Sequence, residues 1–448
     1  MREQAQIDNC EASGFPSASR SLYRHADFMK LWTGETISLF GTRIGSVAMS
    51  FAAVITLRAT PFQMGLLSAA GYLPSVVFSL VTGAWVDRLR RRPLMILADL
   101  GRAAVLATVP LAAIYGVLTM RHLYLVVLLA ALLDLLFDIS YRTYLPSLVD
   151  REQLLDANGK LTASSSLAEV AGFSICGWLV EWITAPFAIL IDALSFLASA
   201  TAIAIISTPE PAPSGGRGER ALVREIAAGG RAIWSDGRLR ALGVVALVGG
   251  FFPGLWNALY MLLVVDALGF KPASLGMIFA VGGASALLGA LAAQRASDWF
   301  GTGPAMVLGL AVGGVAMVLP PLARGAGASS VAILVAHQLI GDGALTIYFI
   351  NNVTLVQTVT PHSILGRVNA SLRFLNHSST LIGLLVGGAA GQLMGLRPTM
   401  LVGAAGVWLA AGLLAASPIR NCRAVAAGLE MGGARSGDAG ARNADVGS

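Results

Sequence analysis

Apolar residues in this chain arrive in long runs, not in short alternating stretches. Twelve such runs fall at about 27–57, 63–86, 94–116, 122–145, 165–184, 186–207, 241–265, 273–294, 304–323, 329–353, 371–395 and 398–416. A run of roughly 18 apolar residues is long enough to cross the ~30 Å hydrocarbon core of a bilayer as a helix. Membrane β-strands would instead show about ten residues of strict alternation. The pattern therefore predicts an all-α membrane protein with twelve transmembrane helices in two pseudo-symmetric six-helix bundles. It divides the chain into an N-terminal tail (1–26), a first bundle (27–207), a linker (208–240), a second bundle (241–416) and a C-terminal tail (417–448). The last segment is rich in Gly, Ala and Arg and is expected to be disordered.

Composition agrees with the runs. Of 448 residues, 55% are hydrophobic and 12% charged. Soluble domains carry about 25% charged residues, so this chain has too few to cover a water-facing surface. The net charge of +6 does not imply nucleic-acid binding, because the basic residues are scattered between apolar runs. That distribution fits topology signals, with Lys and Arg enriched on the cytoplasmic side. It puts both termini in the cytoplasm and the protein in the plasma membrane, the bacterial inner membrane, as a multi-pass chain. The first residues lack an apolar signal-peptide core, so no cleaved leader is expected. Within the linker, ALVREIAAGGRAIW sets Leu222, Ile226 and Ile233 apart from Arg220, Arg224 and Arg231. It reads either as a short amphipathic helix on the inner membrane surface or as a flexible tether.

The two halves repeat at an offset of 211 positions. Gly65 matches Gly276, Asp87 matches Asp298, Pro93 matches Pro304 and Asn158 matches Asn369; Gly172 matches Gly383 and Gly177 matches Gly388. Matches of Gly alone are cheap in such a composition, but the Asp, Pro and Asn pairs at one offset are not. A same-sense repeat implies a two-fold axis along the membrane normal and a cavity between the halves. Rocking of one half against the other would give alternating access.

After the second run the chain reads Gly83-Ala-Trp-Val-Asp87-Arg88-Leu-Arg90-Arg91-Arg92-Pro93. This resembles the signature loop of the major facilitator superfamily, G-x-x-x-D-R-x-G-R-R, with Arg90 where the superfamily has Gly. The second copy keeps Asp298 but lacks the arginines. The opening FMKLWTGETISLFGTRIG, then YLPSLVDREQLLDANG, FAILIDALSF and LVQTVTPHSILGRVNAS, resemble the drug:proton antiporter branch that includes macrolide-efflux and enterobactin-exporter-like proteins. The likeness spans residues 27 to about 400. It implies a conformational latch built from Gly83, Asp87, Arg88, Arg91 and Arg92, where Asp87 pairs with an Arg or a helix N-terminus. The alternative for the arginines is a positive anchor at a helix end. The resemblance also implies protons as partners and the proton gradient as the energy source, with no cofactor.

A charge at the centre of a membrane helix costs about 2.5–3.5 kcal/mol on insertion scales, so it is paired or functional. Glu35 and Arg43 lie in the first run, Asp99 and Arg102 in the third, and Asp134, Asp138 and Arg142 in the fourth. Glu169, Asp192 and Asp342 complete the set. Most sit in the first half, which suggests that one half handles the coupling ion. The proton-coupling candidates are Glu35, Arg43, Asp134, Asp138 and Arg142. Asp138 with Arg142, and Asp99 with Arg102, also read as satisfied structural pairs. Asn257, Asn351 and Asn352 are candidates for the substrate cavity, since amides are unfavourable against lipid.

Several classes are disfavoured. Lys30, Lys160 and Lys271 are the only lysines, and none stands in G-x-x-x-x-G-K-[ST], so no ATP-driven pump is expected. Three scattered cysteines and five scattered histidines give neither a metal site nor a disulfide framework, and no enzymatic centre. The expected function is a monomeric secondary transporter that exports a small amphipathic organic compound, a drug-like molecule or siderophore, in exchange for protons. An uptake symporter or facilitator of a small solute with the same fold, and a non-transporting membrane receptor, are the competing readings.

Overall fold

The computed structural model describes residues 22–78, 89–210, 229–361 and 363–422. Twelve long helices run through these residues: α1 Ala26–Phe51, α2 Pro61–Phe78, α3 Arg91–Ile114, α4 Met120–Leu148, α5 Leu154–Ile183, α6 Ala185–Ala204, α7 Gly237–Met261, α8 Pro272–Phe300, α9 Thr302–Leu322, α10 Ala328–Val359, α11 Leu365–Met394 and α12 Leu396–Ala416. Ten are long and apolar enough to span a bilayer. The other two, α2 and α11, pack on each other; α11 carries the polar stretch Asn376-His377-Ser378-Ser379-Thr380 in mid-course. An even number of crossings brings the start of α1 and the end of α12 to the same face, called here the terminal face.

The 211-residue repeat recurs in the geometry. Helices α1 and α7 start 211 positions apart, at Ala26 and Gly237, as do α2 and α8 at Pro61 and Pro272. The same holds for α5 and α11, at Leu154 and Leu365, and for α6 and α12, at Ala185 and Leu396. Both α1 and α7 end in a π-helical turn, Ala52–Thr56 and Leu262–Ala267. Their N-termini are capped at equivalent positions. His25 Nδ1 accepts from the Phe28 amide at 3.1 Å, and Asp236 Oδ1 accepts from the Arg238 and Leu239 amides.

Packing repeats as well. In the first half α1 packs on α5 and α6, α3 on α4 and α6, and α2 on α4. In the second half α7 packs on α11 and α12, α9 on α10 and α12, and α8 on α10. Besides contacts of α2 with α7 and of the two π-helical turns with each other, two extensive crossings join the halves, α5 on α8 and α2 on α11, and the repeat interchanges them. Each is built on a glycine pair, Gly177 with Gly276 and Gly65 with Gly388, whose backbones approach where a Cβ would collide. These glycines lie near the ends of α5 and α11 and the starts of α8 and α2, all on the face opposite the termini. The seam continues inward to the Phe173–Phe279 rings (5.6 Å) and the Tyr72–His377 rings (5.9 Å).

Hydropathy placed several helix ends too late or too early. Helices α5 and α11 start eleven and six residues before their apolar runs, and α10 continues six residues beyond its run. These ends, such as LLDANGKLTASS, are helical but polar, so they extend past the apolar layer. Of the linker, residues 229–235 are helical and Ile233 is fully buried against Gly243 of α7. Leu222 and Ile226 lie outside the described residues.

Candidate transport cavity and charge network

A cavity of about 990 Å³ lies between the halves. Helices α1, α2 and α5 wall one side with Arg43, Ser46, Ser50, Ser68, Tyr72 and Glu169. Helices α7, α8, α10 and α11 wall the other with Asn257, Tyr260, Phe279, Asp342, Phe349 and His377. Two side chambers adjoin it. One, about 270 Å³, lies inside the first half and shares Ser46, Ser50 and Ser68 with the main cavity. Arg102, Asp134 and Asp192 line it. The other, about 490 Å³, lies in the second half toward the terminal face and carries Asn352, Gln357, Asn369, Arg373 and Asn376.

The charge network is centred on Arg102 of α3, whose side chain is 4% exposed. One guanidinium nitrogen meets Asp134 Oδ1 of α4 at 2.7 Å and another makes a very short contact with Asp99. The guanidinium carbon sits 4.5 Å from the Phe137 ring centre and 4.0 Å from that of Phe196. Two rings and two carboxylates thus replace the hydration that burial removes. Asp99 is fully buried, and its second oxygen has no hydrogen-bond partner. Glu35 of α1 turns one buried, unpartnered carboxylate oxygen into the protein, in the field of Arg102, Asp99, Asp134 and Asp138. Asp192 of α6 is 4% exposed and accepts only a long bond from Ser195.

The other predicted residues divide. Arg43 lines the main cavity and lies 3.8 Å from Glu169 across the α1–α5 contact. Asp138 and Arg142 form a 2.9 Å pair along one exposed face of α4. Asn257 lines the main cavity and Asn352 the second-half chamber. Asn351 does neither: it is 4% exposed, and its amide donates to the Ile347 carbonyl (2.9 Å) and toward Ala293 of α8 (3.5 Å). Gly83, Asp87 and Arg88 lie outside the described residues. Arg91 and Arg92 stay within the first half. Their amides donate to the Glu210 carboxylate, and the Arg92 side chain donates to the Ile203 and Ala204 carbonyls at the end of α6. The two joining crossings lie on the opposite face; here Arg92 ties α3 to the end of α6, and the Arg91 and Arg92 amides hold Glu210.

Sequence reading missed the centrality of Arg102, taken with Asp99 as a local pair. Spacing of three residues reveals that pair, whereas the partnership with Asp134, 32 residues on, has no local signal. Gln338, His377 and the three serines at the chamber mouth also carried no signal beyond their polarity within apolar runs.

This chain belongs to the major facilitator superfamily: the family model of that description matches residues 31–384. It is accordingly a multi-pass membrane transporter and not an enzyme. Multidrug efflux pump Tap of Mycolicibacterium fortuitum is 29% identical over 359 residues, covering 78% of this chain and 85% of that protein. Macrolide efflux protein A of Streptococcus pyogenes is 25% identical over 239 residues, 53% of this chain and 59% of that protein. A crystal structure of a bacterial homologue of the iron transporter ferroportin in its inward-facing state overlaps with a TM-score of 0.70 at 17% identity, covering 88% of this chain and 98% of that one. A corresponding outward-facing structure with soaked iron overlaps with a TM-score of 0.55 at 16% identity, covering 86% and 98%.

Proposed function

We propose that this transporter exports small amphipathic organic compounds in exchange for protons, by alternating access, as a monomer in the bacterial inner membrane. The observation that carries this is the continuity of two spaces: a large aromatic cavity between the halves, and a small chamber holding Arg102, Asp134 and Asp192, joined through Ser46, Ser50 and Ser68. The resemblance to named efflux pumps supports the direction. Both termini are cytoplasmic on this reading, from the placement of Lys and Arg. The glycine crossings then close the outer side, and the cavity opens inward. The better overlap with the inward-facing relative agrees with that assignment.

Charge balance supports proton coupling. Among the described residues Arg102 pairs with both Asp99 and Asp134, while Glu35 and Asp192 have no ion pair. Several unbalanced carboxylates in a poorly hydrated region are costly, and binding a proton relieves the excess. A proton arriving at Asp134 weakens its hold on Arg102, which transmits occupancy from α4 to α3. A potential of 100 mV supplies about 2.3 kcal/mol per charge moved, enough for roughly a 40-fold gradient without ATP. No cofactor enters this scheme.

The test uses everted membrane vesicles with a pH-sensitive dye. Adding a transported compound to energised wild-type vesicles should release protons from the lumen. Asp134→Asn should abolish that release while exchange of labelled for unlabelled compound persists. Unchanged proton release in Asp134→Asn would remove Asp134 from the coupling path. An uptake symporter would be recognised by proton movement of the opposite sign.

A further inference from the structure

The chamber inside the second half takes no part in the coupling scheme. Its volume is about 490 Å³, and it lies toward the terminal face, by the end of α10 and the start of α11. The inner wall is apolar, built from Leu242 and Val245 of α7, Leu310 and Met317 of α9, and Val407 and Ala410 of α12. The outer end is polar. Asn352 and Gln357 come from α10, and Asn369, Arg373 and Asn376 from α11. Asn376 donates to the Ala246 carbonyl at 3.2 Å. Asn352, Asn369 and Arg373 make no hydrogen bond and no ion pair with any described residue.

No acid of the surrounding helices offsets that arginine. Helices α7, α9, α11 and α12 contain neither Asp nor Glu. The one acid of α10, Asp342, stands ten residues before Asn352, about 15 Å along the axis, and lines the main cavity instead. Asp236, just ahead of α7, is engaged with the Arg238 and Leu239 amides. Arg373 itself sits eight residues into α11, within the apolar run, where an unpaired cation is costly. The repeat does not reproduce the group: Asn352, Gln357 and Arg373 correspond to Tyr141, Pro146 and Thr162. A guanidinium fork with free amide donors beside it matches a carboxylate, which it can hold through two parallel bonds. The apolar wall behind accommodates a ring. The volume suits a compact organic molecule and is too small for a two-chain lipid.

We infer that this second-half chamber binds compact amphipathic organic anions, with Arg373 and the Asn352 and Asn369 amides on the acidic head and the α7, α9 and α12 wall on the apolar body. Leu345, Phe349 and His377 line both this chamber and the main cavity, so an occupant stands at the edge of the transport path. On the export reading it is a compound collected from the cytoplasm; that meaning rests on the export reading, whereas binding can be measured alone. The probes are 1-naphthylacetate and its neutral amide, 1-naphthylacetamide, alike in shape and different in charge. Each is titrated by calorimetry into the purified full chain in phosphatidylcholine nanodiscs, with empty nanodiscs as the reference. The anion should bind at least about tenfold tighter than the amide, the effect of roughly one charge-assisted pair. Arg373→Gln should weaken the anion about tenfold and leave the amide unchanged, and Arg373→Lys should lose less. Equal binding of anion and amide by wild type, which requires no variant, overturns the inference. So does unchanged naphthylacetate affinity in Arg373→Gln. Nanodiscs containing phosphatidylglycerol should keep the Arg373-dependent difference; its loss would assign the arginine to lipid phosphate and overturn the inference as well. Failure of the two ideas is separable. Proton-linked export of a neutral compound with Arg373-independent naphthylacetate binding removes this site alone. Arg373-dependent binding by a chain whose vesicles move no protons removes the export reading alone.

Discussion

The two halves share a backbone plan and differ almost completely in what they hang on it. Positions of the first-half network map, 211 residues on, to apolar or glycine positions. Glu35 corresponds to Ala246, Arg43 to Gly254, Asp99 to Leu310, Arg102 to Gly313, Asp134 to Leu345 and Asp192 to Gly403. Conversely Asp342 corresponds to Ala131 and Gln338 to Val127. The corners differ too. Arg58 (φ 50°) and Thr184 (φ 69°) take left-handed conformations that Gly269 (φ 76°) and Gly395 (φ 90°) take in the second half. Gly301 (φ 91°) stands where the first half has Arg90 in an extended conformation. A duplicated fold thus needs helix register, crossing points and corner geometry in both copies. Intramembrane charge is free to concentrate in one.

The comparison breaks most visibly at Arg102. Arg102→Met leaves Asp99 buried without its cation, at an expected cost of about 3–5 kcal/mol, and yield and thermal unfolding in detergent should both fall. A variant as stable as wild type would mean that charge does not organise the first half. Next come the shared crossings. A Cβ at Gly65 would lie 2.5 Å from the Leu384 carbonyl oxygen, and at Gly276 2.8 Å from that of Ser174. Gly65→Val and Gly276→Val should therefore each force the seam open and suppress transport, with spin-label distances across that face lengthening. Unequal effects would show that the seam is not symmetric. The smallest effect is at the corners. Thr184→Gly should stabilise by roughly 1 kcal/mol by relieving the left-handed strain that its partner Gly395 avoids, read as a rise in melting temperature.

Much of this was legible in the chain because its causes are local. Apolar runs mark helices since only a helix satisfies its own backbone in lipid. The offset repeat, carried by the Asp, Pro and Asn pairs held at one spacing, marked the pseudo-axis. Polar helix ends, as in α5 and α11, were invisible to hydropathy because they leave the apolar layer while keeping their backbone hydrogen bonds. The candidate site was half legible. A charge in an apolar run announces itself, as Glu35, Asp134 and Asp342 did, but its partner depends on which helices pack together. Asn351 and Asn352 are adjacent and chemically alike, yet a helix turns neighbours about 100° apart. One therefore faces α8 and the other the chamber.

One consequence concerns the connection between the halves. Asp27 Oδ2 accepts from the Ser207 and Thr208 amides and the Thr208 hydroxyl, and Glu210 accepts from the start of α3, so the connection leaves moored to the first half. It arrives moored to the second, where Ile233 is buried against Gly243 and Gly229 presses on α11. Residues 211–228, between these moorings, lie outside the described residues. Each end of the connection is thus fastened to its own half, and among the described residues the closest backbone approach between the halves is at the paired glycines.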